Sequence, residues 1–256
     1  MPLSADAAIL RSKDVCYRNR IMSIYEDEKY LSENETWHIE DSPWKAAQIL
    51  KLLNRQDTLP VFDTVCEVGC GAGEILVQLS RQLPDNCTFV GYDISPQLQA
   101  MWKERESEKV RFLRQDFLKS TNFYDVLMFI DIIEHIEDYI GFLRHIKDRG
   151  RYKIFNFPLE IFAIKALMGH KYLDSRAKYG HIHYFNKDIC LSVLEDLDFE
   201  ILDYFYAPSA IDLSSTSTSI TTLSRMAKFP RILLSKFSTD FTAKLLGGYS
   251  LFILAK

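Results

Sequence analysis

Residues 65–75 read VCEVGCGAGEI: an apolar run, an acid, and then three glycines in five positions, Gly69, Gly71 and Gly73. A turn so rich in glycine lets a ligand approach the main chain and aims the first amides of the next helix at it. A dinucleotide turn of the form G-x-G-x-x-G needs its last glycine three residues after the second. Counted from Gly69 and Gly71 that place holds Glu74; counted from Gly71 and Gly73 it holds Leu76. Neither register fits, and a glutamate beside a pyrophosphate would repel it. The pattern present is E-x-G-x-G-x-G, beginning at Glu67, and it suits a ligand with a positive group and no phosphate.

Working outward, the texture from residue 61 is one of short apolar runs alternating with helical patterns. The strands expected are 62–69, 87–93, 110–115, 124–131 and 151–157, with 199–208 and 248–256 following after a break. Helices are expected in EILVQLSRQL after the glycines, in PQLQAMWKERE capped by Ser95, and in IEDYIGFLRHIKD stopped by Gly150. A further helix covers 187–197 with Asn186 as its cap. Upstream, Ser42 and Pro43 open a helix in which Trp44, Ala47, Leu50 and Leu53 recur every three residues. Strands separated by helices of about ten residues imply right-handed crossovers and a doubly wound, mostly parallel sheet.

The whole chain sets loose bounds. Its 256 residues, 47% hydrophobic and 26% charged, suit one sizeable α/β domain. The net charge of −4 argues against a general nucleic-acid binder. Five scattered cysteines without a CxxC pair read as free thiols of a reducing cytoplasm, and no apolar stretch has the length of a signal peptide or a membrane span.

Twenty residues after Gly73 the second strand ends in Asp93, where a carboxylate can accept both hydroxyls of a ribose. A ribose-bearing, cationic ligand without phosphate describes S-adenosylmethionine (SAM). At this point the chain resembles the class I SAM-dependent methyltransferases over residues 40 to 256, and its nearest kin within them resemble enzymes acting on quinone precursors and glycans. The resemblance rests on CEVGCGAGEI, VGYDISPQL, RQDF, YDVLMFIDIIEHIED and GHIHYFNKDI, in that order. It implies a Rossmann-like, seven-stranded sheet with an antiparallel last strand. An N-terminal helical lid would cover 1–40, the catalytic domain 41–256, and an inserted lid 209–246. It also implies a cofactor site of Glu67, Gly69, Cys70, Gly71, Gly73, Asp93, Ile94, Asp116, Phe117, Asp131 and Ile132, with Asp116 and Phe117 at the adenine and Asp131 and Ile132 at the methionine end. S-adenosylhomocysteine would be the product.

A sulfonium is already an activated methyl donor, so the protein's task is to align an acceptor and exclude water. A hydroxyl acceptor also needs a base, and His135 in DIIEH is the candidate. Asp131, Glu134 and His135 have i, i+3, i+4 spacing and would share a face if the turn were helical, a chelating arrangement to which His181 or His183 could add. That set is similar to the metal site of small-RNA 3′-end methyltransferases, but those enzymes carry a glutamate where Asp131 stands. The reading adopted has no metal and a small-molecule acceptor, with metal-assisted RNA methylation and non-catalytic SAM binding as alternatives. Trp37, His38, His181, His183 and Tyr184 are candidate acceptor contacts, against a plain packing role for each. Alternation would point His181 and His183 the same way. Finally, LSRMAKFPRILLSKF (223–237) carries Arg225, Lys228, Arg231 and Lys236 among bulky apolar residues, which reads as a lid with a solvated basic face or as a peripheral membrane contact.

Overall fold

The computed structural model describes residues 37, 39–56, 61–213 and 228–256. Its strands are β1 (Thr64–Val68), β2 (Thr88–Asp93), β3 (Val110–Arg114), β4 (Tyr124–Ile130), β5 (Gly150–Pro158), β6 (Ile201–Ala207) and β7 (Ser250–Ala255). They form one sheet in the order β3-β2-β1-β4-β5-β7-β6. The first five run parallel, while β7 lies antiparallel between β5 and β6. Each expected strand is present, one or two residues shorter at most ends and one longer at each end of β5. The chain order reverses between β1 and β4, which places a crevice beyond the carboxyl ends of those neighbours.

Strand alternation divides the core into two layers. Val65, Val126, Met128, Ile154, Phe252 and Leu254 face one side, against α1 (Ser42–Asn54) and α2 (Glu74–Ser80). Cys66, Leu127, Phe129, Phe155, Leu251 and Ile253 face the other, against α4 (Tyr139–Ile146) and α7 (Lys187–Asp196). Between these elements lie α3 (Gln99–Trp102), α5 (Ala163–Leu167) and α6 (His170–Tyr179).

Several local expectations change. The buried face of α1 is Ala46, Ile49, Leu52 and Leu53, whereas Ala47 is exposed, so the stripe is turned from the one the three-residue spacing gives. Asp41, not Ser42, precedes the first turn. Ser95 makes no side-chain cap; Asp93 accepts its N–H instead, and the helix there shrinks to a 3-10 turn and the single turn of α3. The span after β4 breaks into a 3-10 turn, Ile133–His135, and α4, capped by Asp138. Asn186 does cap α7, accepting from the Ile189 N–H.

The insertion between β6 and β7 contains α8 (Ser209–Asp212), α9 (Lys228–Ser235) and α10 (Thr239–Leu246). The Ser/Thr-rich stretch 214–222 and Arg225 lie outside the described residues. So does the segment expected as an N-terminal lid, apart from Trp37 and the turn Ile39–Asp41. Arg231 turns inward, donating to the carbonyls of Gly247 and Leu246. The outward side of α9 and the turn after it is Phe229, Ile232, Leu233, Lys236 and Phe237, an apolar stripe where a basic face was expected. Among the described residues no helix is long and apolar enough to cross a membrane.

Candidate functional site

The glycine turn sits at the carboxyl end of β1. Gly73 begins α2 at φ 82°, and a side chain there would run into Phe112; at Gly69, φ 72°, one would run into Ile132. Both positions therefore demand glycine for conformation and for space. The turn is braced from β2: Asp93 Oδ2 accepts the Gly71 N–H at 3.0 Å and Oδ1 accepts the Ser95 N–H at 2.9 Å. Trp102 donates its indole N–H to the Gly71 carbonyl while stacking on Phe112. Glu74, the residue that broke the dinucleotide pattern, pairs with Arg105 at 3.0 Å. Trp37 lies over the turn, 3.9 Å from where a Gly71 side chain would begin, and itself has φ 49°.

Three carboxylates end neighbouring strands around this turn. Glu67 is 2% exposed, and its Oε2 has no hydrogen-bond partner among the described residues. Burial, reinforced by Asp93 and Asp131 against the opposing charge of Lys45, pushes its pKa up to about 8. Asp93 is likewise raised by burial, against the amides that hold its charged form. Asp131 follows β4 with φ 51°, a left-handed conformation that costs a residue with a side chain on the order of 1–3 kcal/mol. It accepts the Asn156 side-chain amide at 2.7 Å and pairs with Lys45 at 2.8 Å. Burial works against the Lys45 ammonium, yet the contact with Asp131 more than offsets it and leaves the pKa raised. Lys45 (on α1) and Asn156 (on β5) were missed in the sequence. A lone lysine between buried helix positions, and an amide in an apolar strand, were the only traces.

The remaining cofactor candidates scatter more. Ile94 is half exposed beside Asp93, and Cys70 is buried in the turn with its thiol pushed up by burial. Asp116 accepts the Leu118 N–H and so caps the turn after β3, and Phe117 is buried edge-on against Tyr92.

Beyond β4 a second group forms, and its membership differs from the spacing argument. The turn Ile133–His135 is 3-10, so Asp131 points back to Lys45 and is not part of it. Glu134, 1% exposed, stands with His135 and His181, their ligand atoms lying within 4.8 Å of one another. The loop 180–183 is tied down by the Ile182 and His183 N–H groups donating to the Glu134 carbonyl. His135 is pushed down to about 4 by burial and by the neighbouring His181 ring. Glu134 is raised well above the usual range by burial and by Asp131. His181 also meets Glu160 at 2.8 Å; burial raises that acid, but His181 and Lys165 hold it down to about 2. Glu160, two residues after β5, was also missed, although its place at a strand end matches that of the other acids. His181 and His183 do not point alike: His183 packs on Tyr139 and reaches the Glu137 carbonyl. Tyr184 donates to the Tyr172 carbonyl at 2.7 Å, and His38 lies outside the described residues.

A family model described as a methyltransferase domain matches residues 38–204. No curated protein matches the chain. Solved structures share the fold at low identity. Magnesium protoporphyrin IX methyltransferase from Synechocystis, with S-adenosylhomocysteine bound, is 16% identical with TM-score 0.54, covering 95% of this chain and 94% of its own. YjhP from E. coli is 14% identical with TM-score 0.58, covering 90% and 100%. A phosphoethanolamine N-methyltransferase from Haemonchus contortus is 12% identical with TM-score 0.53, covering 89% and 59%. The chain belongs to the methyltransferase-domain family and has the class I fold of SAM-dependent methyltransferases.

Proposed function

We propose that this SAM-dependent methyltransferase acts on a small-molecule acceptor, a hydroxyl or amine of a metabolite, glycan or quinone-like compound. The observation that carries the reading is the convergence of Glu67, Asp93 and Asp131 on one glycine turn. One carboxylate oxygen of Glu67 is buried with no hydrogen-bond partner among the described residues, a conflict that a cation or a hydrogen-bond donor relieves and a phosphate does not. Asp93 would hold the ribose, Asp131 and Ile132 the methionine end, and Asp116, Phe117 and Ile94 the adenine. Gly69, Cys70, Gly71 and Gly73 would pass the ligand along the main chain. Lys45, paired with Asp131, would receive the cofactor's carboxylate while Asp131 would take its ammonium.

The cofactor supplies a methyl carbon on a cationic sulfur; transfer exchanges that C–S bond for one to the acceptor oxygen or nitrogen and releases S-adenosylhomocysteine. The chain's part is alignment, water exclusion and removal of the acceptor's proton. Trp37 would shield the turn, and the group Glu134, His135 and His181 beyond β4 would supply the base, the His135 imidazole being unprotonated at ordinary pH. His38, His183 and Tyr184 would build the acceptor side, with residues 1–40 and 209–246 as lids over the domain 41–256. The acidic site and the net charge of −4 disfavour a nucleic-acid acceptor. The outward stripe of α9 would rest on a lipid surface, and the buried free thiols suit a reducing cytoplasm.

The test is calorimetric SAM binding together with transfer of a labelled methyl group to panels of metabolites, glycans and quinone precursors. Asp93→Ala should weaken binding about 10- to 100-fold, as losing bonds worth roughly 1.5–3 kcal/mol to a charged group implies. Unchanged binding in that variant would remove the ribose assignment.

A further inference from the structure

The excursion after β5 carries an apolar surface that the site does not use. Residues 161–169 read IFAIKALMG, and every exposed side chain among them is apolar: Ala163, Ile164, Ala166, Leu167 and Met168. Leu167 is 87% exposed, and Leu173 on α6 is 67% exposed. The one charged residue of the run, Lys165, is buried instead. Its ammonium donates to Glu160 at 2.6 Å and to Ser175 at 2.8 Å, and lies over the rings of Tyr172 and Tyr184. Water is the cheaper place for an ammonium, so this inward turn is a cost that leaves the outer face of α5 without a charge. Arg231 on α9 turns inward in the same way. Helix α10 packs against both α5 and α9 and exposes Phe241 between them, and the Phe162 ring stands where a side chain at Gly247 would begin. Strand register puts all of these at one end of the sheet. Ser250, which opens β7, pairs with Pro158 at the end of β5 and with Ala207 at the end of β6. Because β5 runs parallel to β4 and β1, that is the end bearing the glycine turn.

We propose that Ile164, Leu167, Met168 and Leu173, on α5 and α6, enter the headgroup region of an anionic lipid bilayer beside the outward stripe of α9. A single exposed leucine needs no explanation, but an exposed run with no polar side chain in it marks a contact surface. The charge around it selects the partner. Segments 161–180 and 228–237 together hold seven cations and one acid, in a chain of net charge −4. With Lys165 and Arg231 turned inward, Lys171, Arg176, Lys178, Lys228 and Lys236 remain wholly or partly exposed, and the acid, Asp174, pairs with Lys171 at 3.4 Å. Large apolar side chains projecting from short helices, with cations around them and no unpaired acid among them, match the interface of an anionic bilayer. Entry of a membrane-soluble acceptor into the crevice from the lipid side rests on the proposed function; the lipid contact of α5 and α6 does not.

The experiment uses the full chain with vesicles of phosphatidylcholine alone and of phosphatidylcholine mixed with phosphatidylglycerol, read by co-sedimentation. Folding is followed by circular dichroism and SAM affinity is measured on the same samples. The wild type should prefer the anionic vesicles. Leu167→Ser should lower partitioning into them about 10-fold, and Ile164→Ser with Leu167→Ser about 100-fold, with SAM affinity unchanged to within about threefold. Leu167→Trp should gain quenching, relative to the wild type, from lipids brominated near the headgroup. Folded serine variants that pellet like the wild type, or a Leu167→Trp protein with no added quenching, overturn the contact. If serine at Phe229, Leu233 and Phe237 abolishes pelleting while the α5 variants keep it, α9 alone meets the lipid; this inference then falls and the stripe in the proposed function stands. The opposite pattern removes the stripe and keeps the α5 contact. A wild type that pellets with neither vesicle overturns both, and self-association that Leu167→Ser abolishes would then give the face to a second copy of the chain.

Discussion

Replacing Glu67 by glutamine tests the reading of the glycine turn through proton linkage. The folded chain raises this carboxyl from 4.5 to about 8, chiefly by burying it. The native state therefore holds the proton more tightly than the unfolded chain does. That contribution is fully present below about pH 4.5 and is lost as pH rises through about 8. One proton is worth about 1.4 kcal/mol per pH unit. Between pH 6 and pH 9 the cofactor-free wild type should thus lose roughly 2–3 kcal/mol that Glu67→Gln keeps. Urea denaturation of both proteins at pH 6, 7, 8 and 9 reads the difference directly. Other titrations, such as that of Lys153, which burial lowers to about 8, cancel in the comparison. A stability difference flat to about 0.5 kcal/mol across that range would refute the assignment of a neutral, buried acid.

The same proton reports on the ligand. If the cofactor's positive charge draws Glu67 into its ionised form, binding at pH 7 must release nearly one proton from the wild type. Glu67→Gln should release none. Calorimetry in two buffers of different ionisation enthalpy counts these protons, and equal release from both proteins would mean that Glu67 does not face the cationic part of the ligand.

Lys45→Met should weaken SAM by about 10- to 100-fold, the loss of a charge-assisted contact, while 5′-methylthioadenosine, which lacks the amino-acid end, changes by less than about threefold. Equal losses for the two ligands would make Lys45 structural only. Serine at Phe229, Leu233 and Phe237 together should reduce co-sedimentation with anionic vesicles by about 100-fold or more, since each buried apolar side chain contributes about 1.5–3 kcal/mol. Lys228→Gln with Lys236→Gln should cost less, about 1 kcal/mol per charge. Equal pelleting of all forms would remove the membrane contact.

The parts of the site that lie within a few residues of one another were legible. Gly69, Gly71, Gly73 and the acids Glu67 and Asp93 belong to two strand ends, and each strand's pattern is local. What the pattern could not carry is which distant groups the strand order brings together. Lys45 reaches Asp131 across 86 residues because α1 packs beside α2 and against β7 and β6, on the sheet face it shares with Val65 of β1 and Val126 of β4. Glu160 reaches His181 because the loop after β5 runs beside residues 180–185, through the bridge of Leu159 to Phe185. The DIIEH spacing misled for a local reason. A 3-10 turn with Asp131 in the left-handed region directs that side chain to Lys45 and Asn156 and leaves Glu134 to face the loop instead. The outward face of α9 misled because composition reports that cations are present and not where they point; Arg231 serves two carbonyls at the end of α10.

The electrostatics of the crevice explain why these arrangements coexist. A buried acceptor without a donor costs about 1–3 kcal/mol, and a strained backbone a similar amount. Glu67, Glu134 and Asp131 concentrate such costs at the ends of two adjacent strands, where a core of well-packed aromatic residues lies immediately behind. Substituting apolar residues there would stabilise the empty fold. Charge of the opposite sign or a hydrogen-bond donor relieves the same conflict. Around Glu67 and Asp131 the glycine turn holds the main chain open, and Lys45 makes its ion pair with Asp131, so under the proposed reading a zwitterionic ligand would enter the pair and satisfy both ends. Around Glu134 the two imidazoles are held by the Gly180 carbonyl and the Glu160 carboxylate. Under the proposed reading, the end of the crevice at Glu67 and Asp131 would therefore take the organic cation, while the Glu134 group beyond β4 would face the acceptor.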